Sequence, residues 1–286
     1  MPVHYDLHSH SRASDGTLSP AELVMAAHAG GVDVLALTDH DTTGGLAEAA
    51  QVAQPLGMQL IPGVEISVSW QSQTIQVLGL GIDAACESLQ EGLSGLREFR
   101  NWRAGEIGRR LAKAGIPGCY AGACSHAQGS IVGRTHFAHH LVAEGHAKSV
   151  RDVFKRFLVN NKPGYVSGKW ARLEEALHWI DAAGGLAVVA HPARYGMTAS
   201  KLRRFLGEFR ECGGVGMEVI SGSHSRDNVS AMAALCRNQN LLASCGSDYH
   251  GPENPWIRLG QLPALPAGCQ PVWENHRWPL SSRELQ

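Results

Sequence analysis

The sequence is short of the features that mark several large functional classes. Lys and Arg (25) nearly balance Asp and Glu (26), for a net charge of −1. No global field recruits nucleic acid or a membrane surface, so an anionic ligand must be held by a local cluster. No apolar run is long enough to span a bilayer. The first residues, MPVHYDLHSH, lack a charged start followed by an apolar core, so no signal peptide is expected and the expected location is cytoplasmic. The seven cysteines are odd in number and scattered, which argues against a disulfide framework. Idle or buried thiols in a reducing compartment are expected instead. Cys119 and Cys124 lie in loop-like sequence without the two further ligands that a zinc knuckle needs. There is no P-loop, no Gly-x-Ser-x-Gly and no Cys-based phosphatase loop, so covalent catalysis is not expected.

What the sequence does have is histidine, fifteen in 286 residues. This surplus points to metal or acid–base chemistry. The densest stretch is Asp6-Leu-His8-Ser-His10, with Asp15 shortly after. Val3, Tyr5 and Leu7 alternate with His8 and His10 as on a short strand. Side chains two apart share a face, so the two imidazoles can converge on one cation.

The chain then alternates between helix and strand signals. Ser19-Pro20-Ala-Glu22 is a capping box with Pro at the first helical position, and Gly30-Gly31 is a stop. Val32–Leu37 reads as a buried strand ending in Thr38-Asp39-His40-Asp41. A helix over about 45–56 comes next, then strands at Gln59–Ile61, leading into Gly63-Val-Glu65, and at Thr74–Leu80.

From about 86 to 165 the rhythm changes to helices: 87–115, Thr135–Glu144 and Val150–Leu158. Arg97, Arg100, Arg103, Arg109 and Arg110 on the first are expected to form a solvated face with Glu91, Glu98 and Glu106. Alternation resumes with helices 172–183, 199–211 and 226–239. The strands there are Leu186–Ala190, Gly216–Ile220 and Leu241–Cys245, and the last 35 residues form a Pro- and Trp-rich wrap.

This order predicts an α/β fold with parallel strands and right-handed crossovers. His40, Glu65, His191, His224, Asp248 and His250 each come just after a strand. A barrel puts all such positions on one face, whereas an open sheet gathers ligands at one switch point, so a barrel is expected. The expected organisation is a barrel from 1–85 and 166–286, with 86–165 as a helical subdomain inserted over its mouth. His8, His10, Asp15, His40, Glu65, His191, Asp248 and His250 are too many for one tetrahedral zinc. They suit two or three bridged ions, an arrangement that stabilises displacement at phosphorus.

Asp6-Leu-His8-Ser-His10-Ser, Leu37-Thr-Asp-His40-Asp, Gly63-Val-Glu65-Ile-Ser, Ala190-His191-Pro and Gly246-Ser-Asp248-Tyr-His250 resemble, in order, the motifs of the PHP (polymerase and histidinol phosphatase) family. The resemblance covers roughly 1–83 and 185–260. It implies a distorted (β/α)7 TIM-like barrel with two or three divalent ions, Mn first and Fe or Zn as alternatives, hydrolysing phosphate esters through a metal-bridged hydroxide.

Ile131-Val-Gly133-Arg134-Thr-His136-Phe-Ala and Asn161-Lys162-Pro-Gly-Tyr-Val are similar to one bacterial branch of that family. For that branch the implied activity is removal of the 3′-phosphate from 3′,5′-nucleotide bisphosphates (pAp to AMP), with 5′→3′ hydrolysis of short RNA in related members. The alternatives are a histidinol-phosphatase-type enzyme and, behind it, an amidohydrolase, which would use a metal-bridging Lys. Many relatives carry a ligand His where this chain has Gln76, which puts the third metal position in question.

Arg134 is expected to clamp phosphate with its planar fork, and His224 to donate to a phosphoryl or leaving oxygen. Asp15 is a ligand that also takes a proton from the attacking water. Asn161, Lys162 and Lys169, and behind them Ser125 and His126, are candidate contacts for the rest of the substrate. The partner expected is a small nucleotide bisphosphate or short oligonucleotide bound by a monomer, with no stable nucleic-acid complex.

Overall fold

The computed structural model describes residues 3–127 and 131–279. Strands β1 (Tyr5–Asp6), β2 (Val34–Leu37), β3 (Gln59–Trp70), β4 (Gln73–Leu80), β6 (Leu186–Val189), β7 (Gly216–Ser221) and β8 (Leu242–Gly246) hydrogen-bond in that spatial order. The two-residue β5 (Ala171–Arg172) branches off β3. The sheet curls until its edges meet. The Leu7 amide donates to the Cys245 carbonyl at 3.0 Å, and Ser9 bridges Tyr249 in parallel. The result is a nearly closed, seven-strand barrel.

Burial explains the curl. All four positions of β2 and of β6 are buried, as in strands covered on both faces. Leu7, Val34, Ala36, Leu78, Leu80 and Val188 belong to one apolar cluster, plugged by Val272 and Trp278 of the C-terminal wrap. The alternate residues Leu35, Leu37, Val77 and Val189 join a second cluster with the flanking helices. These helices are α1 (Pro20–Ala29), α2 (Leu46–Ala53), α7 (Leu173–Ala182), α8 (Ala199–Glu211) and α9 (Arg226–Asn238). The capping box of α1 is formed as its sequence predicts: Ser19 Oγ accepts the Glu22 amide, and the Glu22 carboxylate accepts the Ser19 amide.

Three sequence expectations change. First, β4 is antiparallel to both neighbours, because no crossover helix separates it from β3 and the chain turns back at Gln71 with φ 52°. The all-parallel expectation fails there, and this hairpin is the barrel's distortion. Second, Cys119–His126 is a helix, α4, not a loop. It packs its buried Cys119 and Ala123 into a cluster with Ile107, Leu111, Phe137 and Leu141. Third, the helix predicted over Val150–Leu158 is α-helical only at α6 (Val150–Val153) and widens into a π-turn over Phe154–Leu158.

Two further helices complete the 86–165 segment, α3 (Glu87–Lys113) and α5 (Arg134–Ala143). Leu89, Leu93 and Leu96 of α3 pack into the barrel's outer core, while Ala104, Ile107 and Leu111 serve the segment's own cluster. None of the described helices is long and apolar enough to cross a membrane.

Candidate active site

The structure brings all eight predicted ligands together at one rim of the barrel, although Glu65, expected just past a strand, lies within β3, which continues to Trp70 in the hairpin with β4. His8 and His10 lie just past β1, with Nε2 atoms 3.0 Å apart. Glu65 sits between the others. Its Oε1 is 3.3 Å from His8 Nε2 and 3.2 Å from His191 Nε2, and its Oε2 is 2.6 Å from His40 Nδ1. Asp248 Oδ1 lies 3.2 Å from His10 Nε2 and 3.4 Å from His8 Nε2. Asp15 Oδ1 lies 3.2 Å from His250 Nε2 and 3.5 Å from His40 Nε2. Three overlapping groups could each hold an ion: His10, Asp15, His40 and His250; His8, Glu65 and His191; and His8, His10 and Asp248.

Local structure holds these side chains in place. A Cβ at Gly246 would lie 2.2 Å from His8 Cβ and 2.8 Å from Glu218 Oε1, so only glycine lets β8 pass His8. His191 and Asp248 adopt φ of 29° and 55°, values unfavourable for residues with a Cβ and typical of strained functional positions.

The donor set fits divalent cations. His8 Nδ1 donates to Glu218 Oε1 at 2.8 Å, and His250 Nδ1 donates to the Asp248 carbonyl at 2.9 Å. In the neutral ring this leaves each Nε2 with only a lone pair, aimed at carboxylate oxygens. A proton or a metal must lie between them, and an Nε2 oriented by a carboxylate on the far ring nitrogen is the usual metal-ligand arrangement.

The ionisation preferences agree. Burial opposes charge on His8 and His40, but the surrounding carboxylates outweigh it and raise both. The same balance, with Asp15 leading, pushes His250 up to about 10. His10, buried beside His250 and His40, is driven down to about 3. Burial works against the charges of Asp15, Glu65 and Asp248 too, yet the imidazoles hold them well below the usual carboxylate range.

Gln76 stands opposite Ser67 in the β3–β4 hairpin, so it shares the face that carries Glu65. Its Nε2 donates to Glu65 Oε2 at 2.9 Å and is 3.2 Å from His40 Nδ1. An amide therefore sits against the ligand set at the position the resemblance singled out.

The other side of the same cleft, about 200 Å³ in volume, is formed by the helical segment. Here the expected solvated face of α3 holds for Arg109 and Arg110, which are exposed and pair with Glu106, and is overturned for Arg97, Arg100 and Arg103. Arg100 donates to Asp41 Oδ2 at 2.6 Å and to Ser67 Oγ, and Arg97 reaches the Asp41 carbonyl. Arg103 is buried, and among the described residues it has only the Val166 carbonyl as acceptor. Burial and the guanidinium groups of Arg134 and Arg100 push Arg103 down to about 9. Arg134, at the start of α5, lines the cleft as expected and lies over the Phe154 ring. Arg100 and Arg103 both stack on Trp170. A helical periodicity cannot tell which polar stripe another element will cover, and here it is the barrel mouth that covers the arginines.

Six predicted contacts fall elsewhere. Asn161, Lys162 and Lys169 lie on the chain after the π-turn, and none lines the cleft. Ser125 is exposed and donates to the Gly122 carbonyl in its own helix. His126 lines a neighbouring cavity that shares only Asp15 with the cleft. His224 is not in the cleft either: its Nδ1 is tied to the Val219 carbonyl at 3.1 Å, and it walls a separate cavity.

Several contributors escaped detection in the sequence. Glu218 is fully buried and orients both His8 and the His191 amide. Its signal was a carboxylate in the apolar run Gly216–Ile220. Arg194 lines the cleft with a half-exposed side chain and donates to Asp248 Oδ2 at 2.5 Å. Thr135 donates to Asp15 Oδ2 at 2.9 Å, joining the helical segment to the ligand set. Nothing in the local sequence announced either.

Comparison with known proteins fits this geometry. A family profile described as PHP domain matches residues 6–167. The 3′,5′-nucleoside bisphosphate phosphatase of Chromobacterium violaceum is 48% identical over 94% of this chain and 95% of its own length. The 5′-3′ exoribonuclease Rnm of Escherichia coli is 45% identical over 99% of this chain and 97% of its own. A solved Chromobacterium violaceum structure, described as an amidohydrolase with bound sulfate and no metal, is 48% identical and superposes with a TM-score of 0.90, covering 94% of each chain.

Proposed function

Because this chain belongs to the PHP domain family, a family of metal-dependent phosphoesterases, we propose that it removes the 3′-phosphate of nucleoside 3′,5′-bisphosphates, turning pAp into AMP. We further propose that it acts 5′→3′ on short 5′-phosphorylated oligoribonucleotides. The observation that carries this reading is one cleft with two unlike sites, one suited to cations and one to an anion. One is the imidazole–carboxylate set. The other is Arg100, Arg103 and Arg134, to which Asp41 is the only carboxylate paired among the described residues. A substrate with two phosphates fits both.

In this reading His8, His10, Asp15, His40, Glu65, His191, Asp248 and His250 hold two or three ions, with Mn proposed because mixed imidazole and carboxylate ligands suit it. When bound, such ions neutralise phosphoryl oxygens and lower the pKa of water. The chain's own residues do the rest. Arg194, anchored on Asp248, offers its free N–H groups to the scissile phosphate. Thr135 keeps Asp15 turned toward His40 and His250, ready to take a proton. The three insert guanidinium groups hold the distal phosphate, and Trp170 and Phe154 supply flat surfaces beside them. We take 86–165 to be an inserted subdomain that reads the substrate while the barrel hydrolyses it, in a cytoplasmic monomer.

Histidinol phosphate, which is cationic away from its phosphate, would meet the arginine cluster unfavourably. The amidohydrolase alternative lacks its lysine, since no Lys is among the described residues lining the cleft. The test is phosphate release from pAp, AMP, histidinol phosphate and a 5′-phosphorylated RNA, with Mn supplied. Release from pAp above the others, abolished by verified metal removal and restored by Mn, is expected. Histidinol phosphate as the best substrate, or full activity without metal, refutes the reading.

A further inference from the structure

A second cavity, about 360 Å³, opens at the ends of β7 and β8 and shares no lining residue with the arginine cleft. Ser221 and Ser247 form one wall, and Ser247 directly precedes Asp248. The opposite wall is the irregular chain around Trp256 and Arg258. Trp256 is 89% exposed, the most exposed of the large hydrophobic side chains described. His224 also walls this cavity. Because its Nδ1 donates to the Val219 carbonyl, its Nε2 is an acceptor, and that atom is buried with no donor among the described residues.

We propose that this cavity is a nucleobase subsite for the part of an oligoribonucleotide that trails the scissile phosphate, with Trp256 as the stacking surface. The proposal rests on the oligonucleotide arm of the function above. With the 5′-phosphate on the helical-segment arginines and the scissile phosphate at the imidazole–carboxylate set, the polymer must leave on the remaining side. The β7–β8 ends border that side, because Ser247 of the cavity wall directly precedes Asp248 of the ligand set.

Each feature of the cavity matches a nucleotide. An exposed indole is a platform on which any base can stack. A buried acceptor suits the amino or ring N–H groups of adenine, guanine or cytosine. Arg258, whose Nε holds the Pro255 carbonyl, keeps its other N–H groups for a following phosphate. A mononucleotide bisphosphate is too short to engage the site, so the subsite separates polymer from monomer turnover.

The test compares kcat/KM for wild type, Trp256→Ala and Trp256→Phe on pAp, on a 5′-phosphorylated penta-adenylate, and on that oligonucleotide with abasic residues after the first nucleotide. Trp256→Ala is expected to lower the penta-adenylate value roughly 10-fold or more and to change pAp by less than about 2-fold, with Trp256→Phe retaining most of the activity. The abasic substrate should show the same loss on wild type, and Trp256→Ala should then add little. Three outcomes overturn the subsite: no loss on the oligonucleotide, equal losses on both substrates, or a wild type that hydrolyses pAp but not the oligonucleotide. Failure on pAp alone instead counts against the bisphosphatase reading, and the oligonucleotide comparison still decides the subsite.

Discussion

On the barrel side of the cleft, eight imidazoles and carboxylates crowd around shared contacts of 2.6–3.5 Å and answer one another's charge. On the helical side, three guanidinium groups have among the described residues one paired carboxylate, Asp41 on Arg100, and two aromatic faces. The first set offers imidazole nitrogens and carboxylate oxygens that suit cations. The second offers guanidinium N–H groups that suit an anion. This difference supports the proposed division of labour, with hydrolysis at the barrel rim and substrate reading by the helical segment.

The sharpest way to break this comparison is to remove one member of each half. Asp248→Ala is expected to cost metal and activity together, roughly 1,000-fold or more, on pAp and on a generic aryl phosphate alike. Arg103→Ala or Arg134→Ala should lower kcat/KM on pAp by roughly 10- to 100-fold, since a charge-assisted phosphate contact is typically worth ~1.5–3 kcal/mol. The aryl phosphate has no second phosphate and should lose far less. Equal losses on both substrates for the arginine variants would erase the division of labour.

A smaller effect is expected at Gln76, the amide within the ligand set. Gln76→His should raise the metal content per chain, read by elemental analysis after dialysis against Mn. Unchanged stoichiometry would mean that the donors already present, His8, Glu65 and His191 among them, complete that position without it.

The smallest effect concerns Asp6 behind the ligand loop. Burial pushes its carboxyl up to about 7, although its Oδ1 accepts the Ser247 amide at 2.8 Å. The folded pKa lies above the unfolded value of about 4, so the folded state binds this proton more tightly. That contribution is fully present below pH ~4 and is lost as pH rises through about 7. In metal-stripped protein, Asp6→Asn keeps the acceptor and removes the charge. Its melting temperature should exceed wild type by about 2–4 °C at pH 8, with the gap shrinking toward pH 5. A constant gap across that range would assign the effect to something other than this ionisation.

The chain by itself determined the barrel's working parts, because a strand end is a local event. Apolar runs such as Val34–Leu37 and Leu186–Val189 must be buried on both faces, and the residues just past each run must surface at one rim. That is why His40, His191 and Asp248 could be placed at a common rim from spacing alone. Capping chemistry likewise fixed α1 at Ser19. Tertiary structure decided the rest. The antiparallel β4 depends on a missing crossover, and Glu218 became an orienting group only because Gly246 lets His8 approach it. Which arginines of α3 face the cleft was settled by which face docks on the mouth: nine positions put Arg100 and Arg109 on opposite sides of the helix, but periodicity does not say which side the barrel buries and which it leaves in water.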